Sequence, residues 1–262
     1  MITRCLVAAL ALSIALPAFG ETAPMKDSPT WDALQADVIG ELTPIPATGM
    51  FKIEAPKRAQ DAGTVPIRII QTDPAMAVTA ATVVIDENPA PVAGTFNFGP
   101  EMLPLDFELR VRVNAYSNVR VLAKTPNGLA MDGGFVKASG GCSAPATRDP
   151  EMAKADMGKM KLRQFAPQDH NRREAQIMIR HPNYSGLQRD QLTQLFIPAH
   201  FLSEIEVLQG DAVLFTMEGG ISISENPVFR FTYTDTGADD LIVQATDTEG
   251  NIWRNVLPKS GS

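Results

Sequence analysis

FELRVRVN, residues 107–114, decides the class of fold. Phe107, Leu109, Val111 and Val113 alternate with Glu108, Arg110, Arg112 and Asn114. A period of two puts the apolar set on a buried face of a strand and the polar set on a wet one. Runs of the same texture lie at 65–71, 81–85, 92–98, 119–123 and 135–138, with Asn127-Gly128 and Asp132-Gly133 between runs as hairpin signals. Further along, Ala175, Ile177 and Ile179 alternate with polar neighbours. Phe201, Ile205 and Val207 lie opposite Glu204 and Glu206, and Phe229, Phe231 and Tyr233 opposite Arg230, Thr232 and Thr234. Leu241, Val243 and Ala245 repeat the pattern, and Gln209-Gly210-Asp211 and Glu249-Gly250-Asn251 supply turns. No helix-period segments separate these strands, so antiparallel sandwiches rather than a parallel α/β sheet are expected.

Two breaks in the strand texture organise the rest. Ser28-Pro29-Thr30-Trp31 opens a short helix, with Ser28 as N-cap and Pro29 in the first turn, ending near Ile39-Gly40. From 146 to 173 the chain becomes rich in Lys, Met and polar residues and reads as a linker, partly helical over 149–163. The expectation is an all-β protein of two antiparallel β-sandwich domains, 25–145 and 174–258, with a short N-terminal helix and a partly helical linker. Residues 1–20 read as a signal peptide: Arg4, an apolar run from Cys5 to Pro17, and the small-residue site Ala18-Phe19-Gly20. That run is too short to span a bilayer, which takes about 20 residues, so an exported, soluble chain cut near Gly20 is expected. A net charge of −7 over 262 residues makes nucleic acid and anionic membranes poor partners.

With the signal gone, one of the two cysteines remains: Cys142, in VKASGGCSAP, residues 136–145. Oxidising compartments pair cysteines, so an odd exported thiol points to a partner thiol, a covalent adduct, or a leftover small apolar side chain. Gly140 and Gly141 strip bulk from one side and permit positive φ, so the sequence presents Cys142 as an exposed thiol on a hinged arm. Lys137 is the nearest charge in sequence. His170, His181 and His200 are scattered, with no cysteine–histidine hydrolase signature and no short metal-ligand spacing, so no metal site is expected. His200 reads as a turn or interface residue. Copper handling by Cys142 with Met152, Met157 and Met160 is the weakest alternative, since their spacing imposes no coordination geometry.

The first half resembles SoxY, the sulfur-carrying subunit of the bacterial thiosulfate-oxidising system, through FKIEAPKRAQDAGTVPIRI, DENPAPVAGTFNFGP, ELRVRVNAYSNVRVLA and the GGC of 140–142. The second resembles its partner SoxZ through IMIRHPNYSGLQRD, IPAHFLSEIEVLQGDAVL and ISENPVFRFTY. The whole is similar to fused SoxYZ-like carriers associated with quinoprotein (PQQ) dehydrogenases. The resemblance implies immunoglobulin-like sandwiches that pair within one chain, and a periplasmic carrier rather than an enzyme, without a cofactor of its own. It implies Cys142 as the covalent attachment point for sulfur intermediates, with Gly140 and Gly141 as the arm's hinge. The implied partners are periplasmic redox enzymes, such as c-type cytochromes or a PQQ dehydrogenase. The alternative it carries is a non-enzymatic accessory of a PQQ-dependent alcohol dehydrogenase. Two departures stand out: Ser143 and Ala144 replace trailing glycines, and over a hundred residues follow the cysteine. An arm tied at both ends enters a partner as a loop, so a wider partner site or a different cargo is expected.

Overall fold

Alternation becomes layering. The computed structural model describes residues 22–146, 150–165 and 171–259, so the signal segment and His170 lie outside the described residues. The first half contains α1 (Pro29–Ile39), β1 (Ile45–Pro46), β2 (Phe51–Glu54), β3 (Val65–Gln71), β4 (Ala80–Ile85), β5 (Val92–Phe98), β6 (Asp106–Val111), β7 (Ser117–Thr125) and β8 (Gly128–Val136). The second contains α2 (Pro150–Asp156), β9 (Met160–Gln164), β10 (Arg172–Ile179), β11 (Leu202–Gln209), β12 (Ala212–Gly219), β13 (Val228–Thr234), β14 (Asp240–Asp247) and β15 (Ile252–Pro258). In β3, Val65, Ile67 and Ile69 are fully buried while the residues between them are not, as the period of two requires.

The two immunoglobulin-like halves share both of their sheets. One sheet runs β1-β8-β7-β4-β5-β12-β11-β14-β15 and the other β2-β3-β6-β13-β10-β9. The crossings between halves are β5 with β12, which sets Phe98 against Phe215, and β6 with β13, which sets Phe107 against Phe231. Both pairs are antiparallel, so backbone hydrogen bonds continue across the boundary and neither half leaves those edges bare. Six phenylalanines fill the space between the sheets at this seam. The Phe107 ring lies 5.2 Å from Phe96, 5.2 Å from Phe98, 5.2 Å from Phe215 and 6.0 Å from Phe229, and Phe231 stacks its edge on Phe215 at 5.4 Å. One buried cluster runs from Ala47 to Ala245 through both halves.

α1 starts as the sequence dictates. Ser28 Oγ accepts from Trp31 N–H at 3.1 Å, Pro29 sits in the first turn, and Gly40 ends the helix at φ +62°. Trp31 packs on Val84 and Leu122, with the Arg120 guanidinium 4.6 Å above its ring. Arg120 in turn grips buried Asp86 through Nε at 2.8 Å and Nη2 at 2.9 Å.

Three local expectations change. Asp132-Gly133 is no turn: it lies inside β8, where Asp132 accepts from Ile53 N–H at 2.7 Å and the backbone of Phe135 donates to Ala23 at 3.0 Å. A Cβ on Gly133 would stand 2.3 Å from Met25 Sδ, so the glycine makes room for the N-terminal segment rather than for a bend. Asn127-Gly128, Gln209-Gly210 and Glu249-Gly250 do make the expected hairpin turns. In the linker the helix stops at Asp156, and Met160–Gln164 joins β10 as an edge strand, with Met160 and Leu162 packed on the core. Arg112, assigned to a wet face by alternation, is 2% exposed, because β6 ends at Val111 and the residue after it lies beneath segments of both halves.

Because both halves draw on one aromatic cluster, unfolding is expected to be a single cooperative transition. Phe107→Ala should lower its free energy by about 3–5 kcal/mol. Denaturant titration followed at Trp31, in the first half, and Trp253, in the second, checks this: two separable transitions would contradict the shared core.

Candidate functional site

Cys142 lies where the two halves meet above the seam. Gly140, at φ +77°, turns the chain after Ala138-Ser139, and its N–H donates to Asn114 carbonyl at 2.7 Å. Gly141 serves a different purpose. Its N–H donates to Val113 carbonyl at 3.1 Å, and a Cβ there would fall 2.1 Å from Ala62 carbonyl oxygen. Gly140 therefore supplies the conformation and Gly141 the close approach. Residues Gly141–Ser143 form one 3-10 turn that lies against the first half.

The second half closes over that turn. Ser185 Oγ donates to Cys142 carbonyl, and Gln188 Nε2 donates to Ala144 carbonyl at 2.8 Å. Arg112 joins both halves: Nη1 donates to Gly141 carbonyl at 3.2 Å and Nη2 to Asn183 carbonyl at 3.1 Å. Its backbone is set by Asn88, whose Nδ2 donates to Arg112 carbonyl at 2.7 Å, and by Ser222 carbonyl, which accepts from Arg112 N–H at 2.7 Å. The result corrects the expectation of an exposed thiol. Cys142 is fully buried and in no disulfide. The physical reason is the number of partners offered to the arm's backbone, three of whose carbonyls are taken by side chains. That grip comes from residues of both halves, and sequence spacing cannot reveal it.

Burial pushes the Cys142 thiol up, and the Arg112 guanidinium pulls it down without cancelling the shift. Burial likewise lowers Arg112, against the opposing fields of Cys142, Glu225 and Asp61. Arg112, rather than Lys137, is the cation that acts on the thiol, and its Nε is buried without a hydrogen-bond partner. In this closed position Cys142 is held as a protonated thiol, a poor nucleophile. A raised pKa means the docked arm binds its proton more tightly than a free arm. Docking is thus fully favoured below the ordinary thiol pKa of about 8.5 and weakens as pH rises above it.

The histidines are not scattered in space. His181, just past β10, and His200, just before β11, meet Asp247, the last residue of β14. His200 Nε2 lies 2.6 Å and His181 Nε2 3.5 Å from Asp247 Oδ2. The rings are edge to face at 4.8 Å. Burial, then the neighbouring His200, lower His181 to about 4. Burial raises Asp247, but hydrogen bonds from the Asn251 side chain, His200 and the Asn251 backbone outweigh it and bring the carboxyl to about 2. Residues 181 and 200 are too far apart for a spacing rule. The usable signal was positional: each of the three residues stands at a strand end on one side of the second half. His200 is 8% exposed and belongs to this polar cluster rather than to a surface turn.

Two family models match the chain in succession: Sulfur oxidation protein SoxY over residues 35–142, and Sulphur oxidation protein SoxZ over residues 161–258. The first match ends at Cys142, and the second begins within β9. None of the curated proteins compared with the chain matches it. No helix among the described residues is long and apolar enough to cross a membrane.

The closed arm predicts a slow thiol. Alkylation of Cys142 by iodoacetamide at pH 8 should run at least about 10-fold slower in the native protein than in denaturant. Ser185→Ala, which removes one clamp, and Gly141→Ala, which forces the turn off Ala62, should each raise the native rate. Mass spectrometry over time measures it, and equal rates in native and unfolded protein would contradict the burial.

Proposed function

Since the chain is a fused SoxYZ-like protein, with a SoxY region and a SoxZ region in one polypeptide, we propose that it is a periplasmic carrier, not an enzyme, that holds a sulfur-containing group on Cys142 while partner redox enzymes act on it. The observation that carries this is the position of the thiol: the chain's one cysteine beyond residue 5 closes the SoxY match, on a Gly140-Gly141 pair, at a junction built by both halves. Joining the Cys142 sulfur to a second thiol-level sulfur forms one S–S bond and removes two electrons and two protons. A redox partner, such as a c-type cytochrome, must accept the electrons. The carrier's own task is to protect and present.

Presentation requires the arm to leave its dock. The side-chain bonds to the arm's backbone contribute about 0.5–1.5 kcal/mol each. With burial of the small Cys142 side chain, the closed state is favoured by a few kcal/mol. The open arm is then populated on the order of one part in a hundred to one in ten thousand. A docking partner can supply that difference. The loss of a proton from Cys142 also favours release, because the docked arm is the form that holds the proton more tightly.

A second reading is favoured by the burial itself: a non-enzymatic accessory of a PQQ-dependent alcohol dehydrogenase, in which the thiol is dispensable and the folded surface docks. Two measurements separate them. Intact-mass analysis of protein from its native periplasm is expected to show adducts on Cys142 that reductant removes. Cys142→Ser is expected to abolish carrier-dependent sulfur oxidation with no change in thermal midpoint beyond a few degrees. An unmodified thiol after exposure to thiosulfate and sulfide in the native extract, together with full function of Cys142→Ser, would overturn the carrier reading in favour of the accessory.

A further inference from the structure

The cluster of His181, His200 and Asp247 has a geometry that the carrier chemistry does not use. The side chains of His181 and Asp247 are fully buried, and the side chain of His200 is 10% exposed. Their ligand atoms all lie within 4.8 Å of one another. Both imidazole Nε2 atoms face one carboxylate oxygen, Asp247 Oδ2, at 2.6 and 3.5 Å. We propose that these three residues form a binding site for a divalent transition-metal ion of the zinc class, taken by Nε2 of His181, Nε2 of His200 and Oδ2 of Asp247, with one position left for a small ligand.

The surroundings fit what metal sites require beyond their ligands. Asp247 is fixed through Oδ1 by the backbone N–H groups of Glu249 and Asn251, both at 2.9 Å, and through Oδ2 by Asn251 Nδ2 at 2.8 Å. Each imidazole has an oxygen facing its outer nitrogen: Asn183 Oδ1 is 2.7 Å from His181 Nδ1, and Glu249 Oε1 is 3.5 Å from His200 Nδ1. Such acceptors are placed to take an Nδ1 proton in the tautomer that frees the Nε2 lone pair for a metal. Trp253 stands edge to face 5.9 Å from His181. Entry is from the His200 side, where the Glu249 side chain is 63% exposed.

Metal entry has a defined proton balance. Without metal, the proton at the 2.6 Å contact lies between His200 Nε2 and Asp247 Oδ2. On binding, with both imidazoles neutral, each Nε2 proton moves to Nδ1, where Glu249 or Asn183 accepts it, and no redox step is involved. The Asn183 N–H now 3.0 Å from His181 Nδ1 loses its acceptor in that tautomer. Tetrahedral bonds of about 2.0–2.1 Å place ligand atoms roughly 3.3 Å apart. The 3.5 Å contact already has that spacing, the 2.6 Å contact needs to open by less than about 1 Å, and the widest separation, within 4.8 Å, needs to close by up to roughly 1.5 Å. Two imidazoles and one carboxylate suit zinc, cobalt or nickel and not the all-oxygen sites of calcium or magnesium. Cys142 is not among the ligands, so the site stands apart from the carrier reading. It adjoins the arm's dock through Asn183, whose carbonyl holds Arg112.

The test uses the full mature chain, made without a histidine tag and stripped with chelator. Titration with Zn(II) by calorimetry, and with Co(II) by visible absorption, is expected to show one equivalent bound. His200→Gln and Asp247→Asn should each weaken binding by more than the roughly 10–100-fold that loss of an orienting partner costs, and Cys142→Ser should leave it unchanged. Long-range imidazole proton–nitrogen spectra of the wild-type chain need no variant, and zinc should shift the Nε2 signals of two histidines. Absence of stoichiometric binding, binding lost in Cys142→Ser, or a zinc shift confined to His170 would each overturn the site.

Discussion

Phe107 touches phenylalanines from both halves, and much of the molecule depends on that contact. Around it, β5 meets β12 and β6 meets β13, so two sheets that would otherwise end in open edges run on as one pair. Hydrophobic burial in the seam fixes the register of the halves, and register fixes everything above it. Arg112 comes directly after β6, and Ser222 precedes β13. Those two residues meet only because the strands beside them do. The arm is thus docked against a surface that neither half possesses alone.

Closure and carriage make opposite demands on Cys142. The proposed carrier needs its sulfur to reach an enzyme, whereas the structure shows it sealed and faced by a cation that has one unsatisfied donor, with burial raising the hold of the thiol on its proton. The two demands are reconciled if shelter and delivery are separate states, with the grip weak enough for a partner to undo. Backbone carbonyls, rather than the sulfur itself, receive the clamp from Ser185 and Gln188. The grip therefore does not depend on what the sulfur bears, so long as the passenger fits.

The strands were legible because each buried one face: the 107–113 alternation, the 65–71 run and the hairpin at Asn127-Gly128 all arise from local pattern. So did the N-cap at Ser28. What local pattern could not reach was set by contacts distant in sequence. Arg112 reads as a wet-face residue until the Gly141 and Asn183 carbonyls take its guanidinium, and Gly133 reads as a turn until Met25 packs on it. Met160–Gln164 reads as linker until β10 supplies its partner. Cys142 was identified as the distinctive residue from counting alone, but its burial depends on Ser185 and Gln188, over forty residues away. The grouping of His181, His200 and Asp247 was hidden for the same reason.

The polypeptide continues past Ala144 into a helix and an edge strand fastened to the opposite half. The thiol thus sits on a strap anchored at each end, and an excursion from its dock would be bounded by contour length instead of by a free tip's diffusion. On the proposed carrier function, such a leash brings a passenger home whenever an enzyme lets go. Dwell time outside is then governed by the enzyme's hold, and an enzyme with a narrow tunnel is the wrong shape to receive it. A shallow trough, entered sideways, is the complementary form.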